Sequence, residues 1–180
     1  MASCRVPIYP TVMATGRSRD DIYVATTPLR AAKGPAQLMM SAAYSLNLWD
    51  LHHFMLIIKP STTSTSMAPL SNSQATVFDF QPQDPENIYV ALAALSGRPI
   101  PGTILVRKIS KLPKKKCWYI GSSKLSNAIE AAYEFNSSWE TDLCIGLHDC
   151  RHYTNGLAQM LTGKENVLEH LRRESTANVY

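Results

Sequence analysis

Leu147-His148-Asp149-Cys150-Arg151-His152-Tyr153-Thr154-Asn155-Gly156-Leu157-Ala158-Gln159-Met160-Leu161-Thr162-Gly163 reads as one amphipathic helix that carries the signals for both of its ends. Asp149 is an N-cap residue, and its carboxylate can accept from the first free N–H groups of a helix. Cys150, Tyr153, Leu157 and Leu161 then recur at helical spacing. Gly163 is a stop signal in the left-handed C′ position. This places a thiol in the first turn, at the positive end of the helix dipole, where the thiolate is favoured. Upstream, Leu51-His52-His53-Phe54-Met55-Leu56-Ile57-Ile58 sets a histidine at the mouth of an apolar strand. A helix-start thiol and a strand-borne imidazole are the parts of nucleophilic catalysis when a fold brings them together.

The rest of the chain supplies short elements of both kinds. The expected strands are Ile22–Thr26, His53–Ile58 and Thr76–Phe80, and Leu143–Ile145 is a short apolar run. Thr103–Ile109 and Cys117–Ile120 are expected to pair around a basic loop. One helix is expected over Ala36–Leu46, after Pro35, with Leu38, Met39, Ala42, Ala43 and Leu46 inward. A second opens at Asp84-Pro85 and turns Ile88, Leu92 and Leu95 to the core before Gly97. A third runs from Ser123 to about Asn136 with Leu125, Ile129 and Tyr133 inside. The Cys150 helix follows, then a charged terminal one over Glu165–Glu174. Helices and short strands in similar number define an α+β fold.

The chain has 180 residues, enough for one domain with one core, expected over residues 21–174. Residues 59–74 are rich in Ser and Thr and read as a flexible loop. Residues 1–20 read as a frayed tail or, from their arginines and late first acid, as a transit segment. Four cysteines without disulfide or zinc spacing fit a reducing compartment, cytoplasmic or, on the transit reading, a plastid. No apolar run reaches the ~20 residues of a transmembrane helix.

The two deciding segments together resemble the circularly permuted papain-like thiol hydrolases, in which the histidine strand precedes the cysteine helix. Asp149-Cys150-Arg151-His152-Tyr153 is similar to the Asn-Cys-Glu-His-Phe helix start of the lecithin–retinol acyltransferase branch. His53-Phe54-Met55-Leu56-Ile57-Ile58 resembles that branch's first strand. Val77-Phe78-Asp79-Phe80-Gln81-Pro82 resembles its next strand, with Asp79 where the branch has a second histidine. Thr154-Asn155 and Ala158-Gln159-Met160-Leu161-Thr162-Gly163 are similar to the helix of the PPPDE isopeptidases. The resemblance covers residues 51–82 and 147–163. It implies a permuted papain-like fold, with a small, mostly antiparallel sheet packed against helices. It also implies a Cys150 nucleophile, a His53 base and Asp79 as the group that orients the imidazole, with no cofactor and no metal. The implied substrate is a peptide or isopeptide bond, with a protein or ubiquitin-like partner. The alternatives are a lipid ester, or a binding module with a disabled site.

Each site residue also has a plainer reading. Cys150 can be a small buried apolar side chain. His52 competes with His53, on the opposite face of the same strand. Asp79 can be an exposed strand carboxylate with Phe78 and Phe80 turned the other way. Asp149 opposes a neighbouring thiolate unless its charge is occupied as a cap, and no oxyanion donor besides the Cys150 backbone N–H is identifiable. The His148-Cys150-His152 pattern suggests zinc, but residues two apart on a helix do not share a face. That leaves His152 as a structural residue at the helix start. The net charge of +4 is concentrated at residues 107–116, in Arg107, Lys108, Lys111, Lys114, Lys115 and Lys116. This run is either a solvated loop or a contact for an anionic surface. Without interleaved aromatics it does not read as a nucleic-acid site.

Overall fold

The structure is a computed structural model that describes residues 19–30, 37–38, 41–42, 45–46, 52–61 and 74–177. Six strands form one antiparallel sheet: β1 (Asp21–Pro28), β2 (His52–Lys59), β3 (Ala75–Pro82), β4 (Ile100–Ile109), β5 (Cys117–Ser122) and β6 (Asp142–Leu143). Among the described residues there are four continuous helices: α1 (Ile88–Leu95), α2 (Ala128–Ser138), α3 (Cys150–Thr162) and α4 (Val167–Ala177). The fold is α+β with a small sheet, as the element pattern requires.

The strand order is β5-β1-β2-β3-β4-β6, which puts the two most apolar strands, β2 and β3, in the middle. Both are buried along almost their whole length. Period-two alternation sends Phe54, Leu56, Ile58, Phe78 and Phe80 to one face, where α3 lays down Tyr153, Leu157 and Leu161. The other face collects Ala25, Met55, Ile57, Ala75 and Val77. Burying side chains of this size stabilises by roughly 1.5–3 kcal/mol each, so α3 is docked mainly by its apolar stripe.

β4 and β5 are not hydrogen-bonded neighbours, contrary to the expected pairing: three strands lie between them. The basic segment between them is therefore a crossover, not a hairpin turn. Leu112 packs within it onto the second sheet face, while Lys108, Lys111, Lys114 and Lys115 stay exposed. Local sequence shows two strands and a loop, but pairing partners are set by the whole sheet.

Two helices start later than expected. Asp84-Pro85 forms a turn, closed by Asn87 N–H to the Asp84 carbonyl at 3.3 Å, and Asn87 caps α1. Ser123 makes a local turn with Leu125, and Asn127 caps α2. The apolar faces differ as well. Ile88, Leu92 and Leu95 are exposed, and α1 buries only Ala94. Tyr133 and Leu125 are also largely outside, while Ala128 and Ala132 face the core. Helix α1 is apolar all round, so periodicity cannot say which side packs. Gly102 marks a close approach at the sheet edge. Its N–H donates to the Thr141 carbonyl at 2.7 Å, and a Cβ there would lie 2.8 Å from that oxygen.

Of the helix expected over Ala36–Leu46, the described positions Gln37, Leu38, Ser41, Ala42 and Ser45 are helical, and Leu38 and Leu46 are exposed. Met39 and Ala43 lie outside the described residues. So do residues 1–18 of the expected tail and residues 62–73 of the expected loop.

Candidate active site

The β2–β3 ladder pairs only Leu56–Ile58 with Thr76–Phe78. Beyond it, His52–Met55 are held by β1 and Asp79–Pro82 by β4, so the two central strands part at this end. The first turn of α3 sits at the same end. A recess of about 100 Å³ opens there, lined by Cys150, His52 and His53. Phe80, Pro82, Ala94, Leu143, Ile145 and Leu29 make most of its wall apolar. Because both histidines line it, the recess belongs to the end of the sheet rather than to one face.

The structure brings Cys150, His53 and Asp79 together. His53 Nε2 is hydrogen-bonded to Asp79 Oδ1, a buried contact between β2 and β3. That occupies one ring nitrogen and leaves Nδ1 for the Cys150 side chain, which is also a hydrogen-bonding neighbour of the ring. Burial alone would hold the imidazole neutral. The Asp79 hydrogen bond, then the Cys150 contact and the charges of both groups, outweigh it and raise His53 from 6.5 to about 10. Burial likewise opposes the Asp79 carboxylate. His53 and then Arg107 outweigh that and hold it below its usual 3.8. Asp79 is only 2% exposed, which rules out the exposed-carboxylate reading, although Phe78 and Phe80 do face the other way.

His52 goes elsewhere. Its Nε2 lies 3.4 Å from Lys116 Nζ, and its ring tilts against Phe54 at 6.2 Å. The three side chains of the His148-Cys150-His152 pattern also diverge. His148 Nδ1 is 2.8 Å from the Asp142 carbonyl, and its ring stacks on Trp139 at 4.4 Å. His152 Nδ1 accepts from the Asp149 backbone N–H at 3.4 Å, closing a capping box. Among the described residues, no cluster of three or more His, Cys, Asp or Glu could hold a metal ion.

Asp149 does cap α3, and its charge is occupied. It accepts from Arg151 N–H at 3.0 Å, Gly146 N–H at 2.8 Å and the Arg151 guanidinium at 2.9 Å. Burial works against the carboxylate, but these donors and His152 hold it far below the ordinary range. The negative charge next to Cys150 is thus offset by a cation and by N–H dipoles. Gly163 ends the helix at φ 70°, in the left-handed region anticipated for it.

Two site residues have no individual signal in the sequence. Arg107 looks like one of six basic residues in a run, yet its Nη1 lies 2.8 Å from Asp79 Oδ2. Only the register Val77↔Arg107 and Asp79↔Leu105 reveals it as Asp79's diagonal neighbour. Arg151 reads as a surface helix residue, yet it clamps Asp149 and lines the recess. No protein-family model, curated protein or solved structure matches this chain. No helix among the described residues is long and apolar enough to cross a membrane.

Proposed function

We propose that the chain is a thiol hydrolase of the permuted papain-like kind, cleaving a peptide or isopeptide bond through a thioester on Cys150. The observation that carries this reading is a helix-start thiol and an imidazole that converge on one recess, with a buried carboxylate hydrogen-bonded to the imidazole, the three coming from separate elements. In the reaction, His53 Nδ1 holds the proton given up by Cys150, and Sγ attacks the carbonyl carbon. The backbone N–H of Cys150, free of any intrahelical partner at the start of α3, faces the developing oxyanion. His53 then gives its proton to the departing amine as the C–N bond breaks. Water attacks the thioester, His53 accepts a proton from it, and the carboxylic acid leaves with Cys150 Sγ released and the proton back on His53. Asp79 keeps the Nε2–H tautomer and offsets the imidazolium charge.

A lipid ester is the second substrate class, favoured by the mostly apolar wall of the recess and by Ile88, Leu92 and Leu95, exposed on the nearby α1. The test has two parts. Iodoacetamide should label Cys150 ahead of Cys117 and Cys144 at neutral pH. A panel of peptide, isopeptide and ester substrates should lose turnover in both Cys150→Ala and His53→Ala. Turnover that survives both substitutions removes the enzyme reading and leaves a binding module on this fold.

A further inference from the structure

We propose that Arg107 is a positioning residue for this site, the outer member of a chain that runs Cys150–His53–Asp79–Arg107 across α3, β2, β3 and β4. The inference rests on the hydrolase reading for its kinetic consequence, but on geometry for the chain itself.

The Asp79 carboxylate is buried and has two oxygens to satisfy. Oδ1 faces His53 Nε2, and Oδ2 accepts from Arg107 Nη1 at 2.8 Å. With both oxygens engaged on opposite sides, rotation of the carboxylate would lose both contacts. Arg107 is itself held, because its Nη2 lies 3.4 Å from Met55 Sδ on the same strand as His53. The neighbouring cations behave differently: Lys108, Lys111, Lys114 and Lys115 are exposed, while the Arg107 head group turns in to Asp79.

The chemistry explains why a fixed cation is useful there. A carboxylate this buried, facing only a neutral imidazole, would drift toward its protonated form. A protonated Asp79 would accept from Nε2–H more weakly and could not offset an imidazolium. Arg107 cannot deprotonate in a protein, so it keeps Asp79 ionised and aimed throughout the cycle. It touches no reacting atom and acts only through Asp79.

That last property makes the proposal testable by a double-mutant cycle. Full-length parent, R107A, R107K, D79N and R107A/D79N are compared in kcat, in KM and in the rate of Cys150 alkylation, which needs no substrate. R107A should lose about 10- to 100-fold in kcat, the loss typical when the outer hydrogen-bond partner of a metal-bound histidine is removed, with KM little changed. R107K should recover most of the loss, and the double variant should be no slower than D79N. The Nε2 proton of His53, read by NMR as a far-downfield signal, should fade in R107A and return in R107K. Multiplying losses in the cycle, or an unchanged His53 signal in R107A, would overturn the proposal. If Cys150→Ala leaves hydrolysis intact, the hydrolase reading fails, and the His53 signal alone then decides whether Arg107 positions Asp79.

Discussion

Asp79 and Asp149 are both buried aspartates, yet they have different work. Asp79 sits between His53 and Arg107, so its substitution should act on chemistry. Asp79→Asn keeps the shape but offers the imidazole the wrong partner. Turnover should fall on the order of 10⁴-fold, as in other triads, and the thermal midpoint should fall too, because His53 and Arg107 lose their shared counter-charge. A small effect beside a complete loss in His53→Ala would make the site a Cys–His dyad. Asp149 sits on the cap of α3, so its substitution should act on stability. Asp149→Ala removes the acceptor for three backbone N–H groups and should cost about 0.5–2 kcal/mol in urea denaturation. Both aspartates occupy positions that the sequence singles out, and their partners show which role each has.

At the scale of elements, α3 and α1 make a pair of opposites. Leu157 is fully buried against the sheet, so Leu157→Ala should destabilise by about 2–5 kcal/mol. Leu95 is 78% exposed, so Leu95→Gln should change stability by no more than about 0.5 kcal/mol. Equal losses in chemical denaturation would mean that α1 is packed. The contrast explains what could be read from sequence. Helix α3 has polar and apolar faces, a cap and a left-handed stop, so its start, its end and its inner face are all legible. Helix α1 reads Ile88-Tyr89-Val90-Ala91-Leu92-Ala93-Ala94-Leu95, which has no polar face to exclude. The same distinction applies to the site. Cys150, His53 and Asp79 lie in segments with their own pattern, whereas Arg107 is defined by register, a property of two strands at once.

Over the whole molecule, the buried ionisable groups set how stability follows pH. Asp79 and Asp149 are held below their ordinary 3.8. The stability they contribute is present above 3.8 and is lost as pH falls through their folded values. His53 is raised from 6.5 to about 10, so its contribution is complete below 6.5 and is lost as pH rises through about 10. The Asp79–His53 contact is one interaction seen from both partners and titrates as a pair. The two windows overlap between 3.8 and 6.5, where the folded state should be most stable. From 6.5 to 9 the decline belongs to His53. Above 9.0 the Cys117 thiol, raised by burial, adds its own loss, and above 10.0 the phenol of Tyr153, raised by burial and the Asp79 charge, does the same. Urea midpoints measured from pH 3 to 9 should therefore rise, level off and fall. His53→Gln should flatten the fall above 6.5 and leave the acid side to Asp149 and to Asp79 as held by Arg107 alone. A parent protein whose midpoint stays level from 6.5 to 9 would mean that His53 carries no extra proton in the folded state. The imidazole would then enter the reaction neutral, as a base that has yet to take the thiol proton.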